Sequence, residues 1–358
     1  MKKNNMIDRR EFAKILTSAT MLLSVPSCQK ASHEKFLLGW SNHLYTFNPN
    51  DSFVNIFGLN IGSIELGSIP HDFLELPDKK IITIPKWGKI IDVIDNVNLT
   101  KIKEIKCRGN EEFMGHGVVI NSQNKLFISA IRMATGEYGI DSSGIIKVYD
   151  LEKLKLIEEF STHGSQPHEL AVINNKLFVL NPSLDQNRQA TGANIAIFDI
   201  SKNKLIEIKE FDDKSLLFSH LDKLNDKEIV FINERAEGDD DNKIKPCFYD
   251  EEKGFYFGEE TKEEFSSGGL LSVSHGKKII AITAPQDNAV LFWDLKSKKY
   301  LSKIMVKNPK AISFNHLSNK FIVGCDEGIV AINEKDYKIN YLYKIDFANA
   351  SSSHGIYL

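Results

Sequence analysis

The chain has 358 residues, 42% hydrophobic and 26% charged, with 45 Lys+Arg against 48 Asp+Glu and a formal net charge of −3. That balance is globular, with enough apolar material for a sizeable core, and it excludes wholesale disorder. No basic excess exists to neutralise phosphates, which argues against a nucleic-acid partner.

Residues 1–27 read as an export signal and not as part of the fold. Lys2 and Lys3 open a basic region, and Asp8-Arg9-Arg10-Glu11-Phe12-Ala13-Lys14 follows. This stretch resembles the twin-arginine export motif, with Asp8 where Ser is usual and Ala13 where Leu is usual. Residues 15–25 are mildly apolar and too short to cross a hydrocarbon core of roughly 30 Å. Val25-Pro26-Ser27-Cys28 closes the segment like a lipoprotein cleavage box, so lipidation of Cys28 is expected; the plainer alternative is an ordinary signal cut near Ser27. Removal of residues 1–27 leaves 40 basic and 46 acidic residues. Such an acidic body reaches a membrane only through a lipid anchor on Cys28. Residues 28–34 read as a tether. The expected location is the periplasm or cell envelope, reached by the twin-arginine route.

From residue 35 onward one unit repeats. Short runs ending in Asp or Asn recur at 44–48 (LYTFN), 91–95 (IDVID), 146–150 (IKVYD) and 195–199 (IAIFD). Residues 246–250 (PCFYD), 290–294 (VLFWD) and 329–333 (IVAIN) complete the set. Upstream of six of them stand two further apolar strands separated by a polar turn, at 73–76 and 81–84 in the first case. No stretch between them carries a helical period. Repeats of this length, rich in β-branched and aromatic runs, fit four-stranded propeller blades. The reading is all-β, with residues 35–358 forming a single seven-bladed β-propeller. The first strand of the incomplete blade appears only at 354–358 (HGIYL), and its partners, 36–39 and 44–47, lie at the other end of the chain. The ring is therefore expected to close by pairing the N- and C-terminal strands within one blade, which removes exposed sheet edges. The protein is expected to be a monomer. Cys107, Cys247 and Cys325 sit in strand-like runs and read as small buried hydrophobes.

One phase of the repeat carries histidine. The residue just before the inner strand is His71, His116, His168, His220 and His354 in five blades, and Gly269 and Lys310 in the other two. With 10 histidines in 358 residues, seven positions would hold about 0.2 by chance. Equivalent positions meet around one pseudo-symmetry axis, so these imidazoles should converge at one mouth of the central channel. His275 and His316 fall in turns on the opposite side, whereas His163 precedes Pro167-His168 closely enough to join the cluster. Three consecutive blades carry extra residues between their second and third strands, at about 131–144, 181–193 and 233–245. These loops bring Arg132, Arg188, Glu234 and Arg235 to the same face, where a rigid scaffold commonly binds ligands.

Neutral imidazole suits copper, zinc, iron and nickel, and the lack of thiolates argues against a closed structural zinc site. Copper or iron is the expected metal, held by His71, His116, His168, His220 and His354, with Glu169 and Glu234 placed to orient them. Two metal-free alternatives stand beside this: a small organic or anionic ligand at the channel mouth, and a water-filled, histidine-lined channel in a non-catalytic platform that captures another envelope protein. No Gly-x-Ser-x-Gly elbow, His-Glu-x-x-His pair or phosphate-cradling glycine loop is present, so hydrolytic chemistry is disfavoured. Whether the chain is an enzyme stays open at this point.

Gly115-His116-Gly117, residues 144–150 (GIIKVYD), residues 163–170 (HGSQPHEL) and Ser219-His220-Leu221 resemble an exported bacterial propeller family known as domain of unknown function 1513. The resemblance covers most of residues 35–358, and Ser219 stands where that family often has Arg. It implies a seven-bladed propeller with a twin-arginine signal and an association with envelope iron or copper handling, without an established reaction. A wider resemblance is to the nitrous-oxide reductases, whose propeller presents a histidine ring to a copper–sulfide cluster.

Overall fold

The computed structural model describes residues 36–41, 52–57, 62–98, 100–133, 142–182, 192–214, 216–235, 243–265, 272–344 and 355–357. The expected signal peptide, the tether, Cys28 and the 44–48 run lie outside the described residues. Among the described residues there is no α-helix, and no helix is long and apolar enough to cross a membrane.

The strands fall into antiparallel four-stranded groups. The first group contains β1 (Phe36–Ser41), β2 (Ser52–Phe57) and β3 (Gly62–Glu65). The next is β4 (Pro70–Leu76), β5 (Lys80–Gly88), β6 (Ile90–Asp95) and β7 (Thr100–Lys106). It is followed by β8 (Glu111–Ile120), β9 (Lys125–Arg132), β10 (Ser143–Asp150) and β11 (Lys155–Ser161), and a short β5–β8 pairing joins these two groups. Then come β12 (Leu170–Ile173), β13 (Lys176–Asn181), β14 (Asn194–Asp199) and β15 (Lys204–Glu210). The next sheet holds β16 (Leu216–Lys223), β17 (Glu228–Arg235), β18 (Cys247–Asp250) and β19 (Gly254–Phe257). Two more sheets follow: β20 (Val273–His275), β21 (Ile279–Ala284), β22 (Ala289–Asp294) and β23 (Tyr300–Met305), then β24 (Ala311–Asn315), β25 (Lys320–Cys325), β26 (Gly328–Asn333) and β27 (Ile339–Lys344). The last strand, β28 (Gly355–Tyr357), returns to pair with β1, so the first sheet runs β28-β1-β2-β3. The whole is all-β, and its repeated four-stranded sheets are those of a propeller-like fold.

In the six sheets from β4 to β27 the third strand ends in Asp or Asn because that side chain makes the turn. Asp95 Oδ1 accepts the amides of Val97 and Asn98, both at 2.8 Å, and Asp150, Asp199, Asp250, Asp294 and Asn333 accept turn amides in the same way. The recurring motif is thus an Asx turn into the fourth strand. These six third strands are buried along almost their whole length, and the aromatic residues of β10, β14, β18 and β22 pack into the core. Phe198 packs with Phe127 and Val148 of the preceding sheet, and Tyr249 with Phe178 and Ile197. The fourth strands β7, β11, β15, β19 and β23 are mostly exposed or half-buried, as an outer edge should be.

The first strands follow one another side by side: β4 meets β8, β8 meets β12, β12 meets β16, β16 meets β20, β20 meets β24, β24 meets β28 and β28 meets β4. One expectation needs correction. The strand beside β1 is Ser52–Phe57, not 44–47; its sequence, SFVNIF, is rich in the β-branched and aromatic residues that favour strands. Cys247 and Cys325 are buried as expected, and burial pushes their thiols up to about 12 and about 11.

Candidate functional site

The inner strands are irregular where their histidines stand. In β4 the pairing with β5 jumps from Pro70 to Asp72, leaving His71 as the extra residue. In β16 the register steps from Phe218 to His220, with Ser219 extra. In β8, Phe113 pairs with Ala130 and Gly117 with Ile128, so Met114, Gly115 and His116 bulge out opposite Ser129. Ser129 Oγ stitches that bulge by donating to the His116 carbonyl at 3.0 Å. A β-bulge bends the strand and re-aims its side chains, here toward one another. His168 lies just ahead of β12, its amide donating to the Leu180 carbonyl at 2.8 Å, which prolongs the pairing with β13.

As a result four imidazoles from four consecutive sheets meet. The ring centroids of His116 and His168 are 4.5 Å apart, those of His71 and His116 4.9 Å, and those of His168 and His220 5.0 Å. The remaining pairs, His71–His168, His116–His220 and His71–His220, are separated by 5.1, 5.7 and 6.4 Å. All four side chains are buried, none more than 7% exposed. Gly115 permits the crowding. Its φ is +103°, and a Cβ there would collide with the His71 ring.

Three of the rings are oriented through Nδ1. His168 Nδ1 lies 2.9 Å from the Met114 carbonyl oxygen; a carbonyl only accepts, so this nitrogen carries the proton. His116 Nδ1 lies 3.1 Å from Asp72 Oδ2 and 3.8 Å from Glu169 Oε1. His220 Nδ1 lies 3.2 Å from Glu169 Oε2, the oxygen that also accepts the Leu221 amide at 2.8 Å. Rings that donate from Nδ1 keep the lone pair on Nε2, and the Nε2 atoms of His116 and His168 are buried within the cluster. Burial, and the charge of Asp72 nearby, push the Glu169 carboxyl well above the usual carboxylate range, against the stabilising Leu221 amide. Two overlapping sets place their ligand atoms within 4.8 Å of one another: His71, His116 and His168, and His116, Glu169 and His220. Such sets of neutral imidazoles with an adjoining carboxylate can hold a borderline transition-metal ion.

The other expected residues separate from this centre. His354 and Arg188 lie outside the described residues, and Glu234 and Arg235 end β17 with side chains that are not described. Arg132 ends β9 but turns into an ion network, its guanidinium bonding Glu111 and Glu159, which also hold the buried Lys147. His163 is exposed at a φ of +57°, its ring set against Phe198 at 6.2 Å; among its described contacts none is with the four histidines. The left-handed turn carries it away from His168 despite their closeness in sequence. His275 is bound to Asp222 at 2.7 Å, and His316 lies against Phe314. Sequence reading missed Asp72 and the Met114 carbonyl. Asp72 has a signal: it follows His71 as Glu169 follows His168, and in both cases the carboxylate reaches the histidine of the next sheet.

No curated protein matches the chain. Among solved structures, the hydrazine synthase of Kuenenia stuttgartiensis is similar over 79% of this chain and 90% of that chain, with a TM-score of 0.64 and 11% identity. At that identity the likeness is one of fold alone, and 1136 solved chains match, so it says nothing about chemistry. Residues 70–349 match the family model described as Protein of unknown function (DUF1513). The match embraces all four clustered histidines and the carboxylates beside them, and the chain belongs to that DUF1513 family.

Proposed function

We propose that this protein is an exported, lipid-anchored, seven-bladed β-propeller that binds a transition metal, copper or iron, at one mouth of its central channel. The ligands are His71, His116, His168 and His220, with His354 of the closing blade as a fifth candidate. The observation that carries the reading is the fixing of three rings through Nδ1 by Asp72, Glu169 and the Met114 carbonyl. Ligating histidines are held in this way, by a partner on the other ring nitrogen that sets the tautomer and raises basicity. A merely water-lined channel has no need for three separately oriented imidazoles in van der Waals reach of each other. Seven blades and a closed ring are supported by the β1–β28 pairing and by the unbroken succession of neighbouring first strands. Export and anchoring rest on residues 8–14 and Cys28.

Elemental analysis of the full chain purified from its native envelope tests the reading. Stoichiometric copper or iron that disappears in the His116→Ala/His168→Ala double variant supports it. Metal-free protein that takes up neither copper nor iron on reconstitution overturns it and leaves the interaction platform. A reaction would show separately, as a turnover abolished by the same two substitutions.

A further inference from the structure

We propose a second ligand site, for a small oxyanion of the phosphate class, in the seam between β7 and the sheet β8–β11. A cavity of about 240 Å³ opens there. Five cationic side chains line it, Lys103, Lys106, Arg108, Lys147 and Lys155, against a single carboxylate, Glu104. Its floor is apolar, from Ile105, Leu154 and Leu156, and the buried Tyr149 adds a hydroxyl, kept protonated by its burial.

The repeat itself marks this seam as unusual. Three residues before the run-ending Asp or Asn, the sheets carry Asp92, Lys147, Ala196, Cys247, Leu291 and Val330, each at most 1% exposed. Where four sheets place a small or apolar residue, β10 buries an ammonium, a costly choice unless it is paired. Lys147 is paired, with Glu111 at 2.6 Å and with Glu159, and Arg132 completes a quartet of two cations and two carboxylates. Because the quartet is balanced, the positive excess belongs to the other lining residues. Lys103 Nζ is pinned across the seam by the carbonyls of Lys153 and Leu154, at 3.0 and 3.3 Å, uncharged partners that orient it at the cavity. Lys106 pairs with Glu104, which also bonds Lys101, while Lys101 itself is held by the buried Asp92 at 2.8 Å, so the uncompensated charge at the cavity is that of Lys103, Arg108 and Lys155. Arg108 and Lys155 stand exposed beside the opening. On a chain whose total charge is negative, this local concentration of cationic side chains around a half-open pocket suits a multivalent oxyanion, with the guanidinium supplying paired donors. A free phosphate and a lipid phosphate headgroup share that chemistry.

The test is calorimetric titration of the full chain with inorganic phosphate, at ionic strength held constant with chloride. Vesicles of phosphatidylcholine with and without phosphatidic acid form the second arm. Saturable binding in either arm, weakened at least tenfold in Arg108→Ala/Lys155→Ala and retained in His116→Ala/His168→Ala, is the expected result, and the arm that binds identifies the source. In the unsubstituted chain, phosphate should also protect Lys155 from acetylation. Heats no larger than those of chloride, binding unchanged by the double substitution, or Lys155 acetylated equally with and without phosphate would overturn the proposal.

Discussion

Glu169 Oε2 lies 3.2 Å from Nδ1 of His220, while the amide of the following residue, Leu221, fixes that same oxygen at 2.8 Å. Glu169 stands beside His168 in one sheet, and His220 belongs to the next. One carboxylate therefore sets the ring orientation of its neighbour's histidine, and Asp72 does the same for His116. Replacing Glu169 by Gln should keep the fold but weaken copper or iron binding by about ten- to a hundredfold, the usual cost of losing an orienting partner. Competition against a chelator of known affinity measures it; unchanged affinity would remove Glu169 from the account.

Gly115 should tolerate no side chain. At a φ of +103° even alanine is strained, and its Cβ would press on the His71 ring. Gly115→Ala is expected to cost about 1–3 kcal/mol of stability in metal-free protein and to lower metal affinity further by displacing His71. Denaturant unfolding without metal separates the two effects. An Ala variant as stable as the parent would mean that the close approach is relieved elsewhere.

The quartet of Glu111, Lys147, Arg132 and Glu159 predicts an acid-sensitive body. Burial raises the Glu111 carboxyl, but hydrogen bonds from Lys147 and Arg132 outweigh it, and the net displacement is below the ordinary value. A carboxylate lowered in the folded state contributes stability that is present above its unfolded pKa and is lost as pH falls through its folded pKa. Stability should therefore decline from about pH 5 downward, and Glu111→Gln should flatten that decline while lowering the plateau. Lys147→Ala, which leaves two carboxylates short of a partner, should cost about 3–5 kcal/mol near neutrality. Urea midpoints measured across that pH range check both, and parallel profiles for parent and Glu111→Gln would refute the assignment.

Deletion of residues 354–358 removes the strand that pairs with Phe36, Leu37 and Leu38. If that pairing closes the ring, the melting temperature of the entire body should fall by several degrees, roughly what 1–2 kcal/mol produces in a chain of this size. A truncated chain with an unchanged melt would mean that the ring does not depend on this strand.

Much of this was legible in the sequence because each sheet repeats one local grammar. The run-ending Asp or Asn marked six of the third strands since that side chain builds the turn into the fourth; the 44–48 run did not, because the strand beside β1 is Ser52–Phe57, which ends without such a residue. The histidine phase held for His71, His116, His168 and His220 because equivalent positions in a repeat occupy equivalent places in space. What escaped reading were properties of pairing. The bulges at His71, at His116 and beside His220 exist only relative to a partner strand, and the Met114 carbonyl that orients His168 has no side-chain signature. His163 misled because proximity along the chain says little once a left-handed turn intervenes. Arg132, read as a loop residue at the mouth, is claimed by the two carboxylates that its β9 position brings within reach. Asp72 was within reach of a closer reading, since the histidine–carboxylate dipeptide occurs at the same phase twice.

The central claim is that four inward-turned imidazoles form a transition-metal site. X-ray absorption spectroscopy of the copper- or iron-loaded full chain tests it most directly. The account predicts a first shell dominated by three or four imidazole nitrogens at about 2.0–2.1 Å, with the outer-ring scattering of histidine reduced in step when His116 and His168 are replaced. A shell of oxygen or sulfur without that imidazole signature, or one untouched by those substitutions, would contradict it.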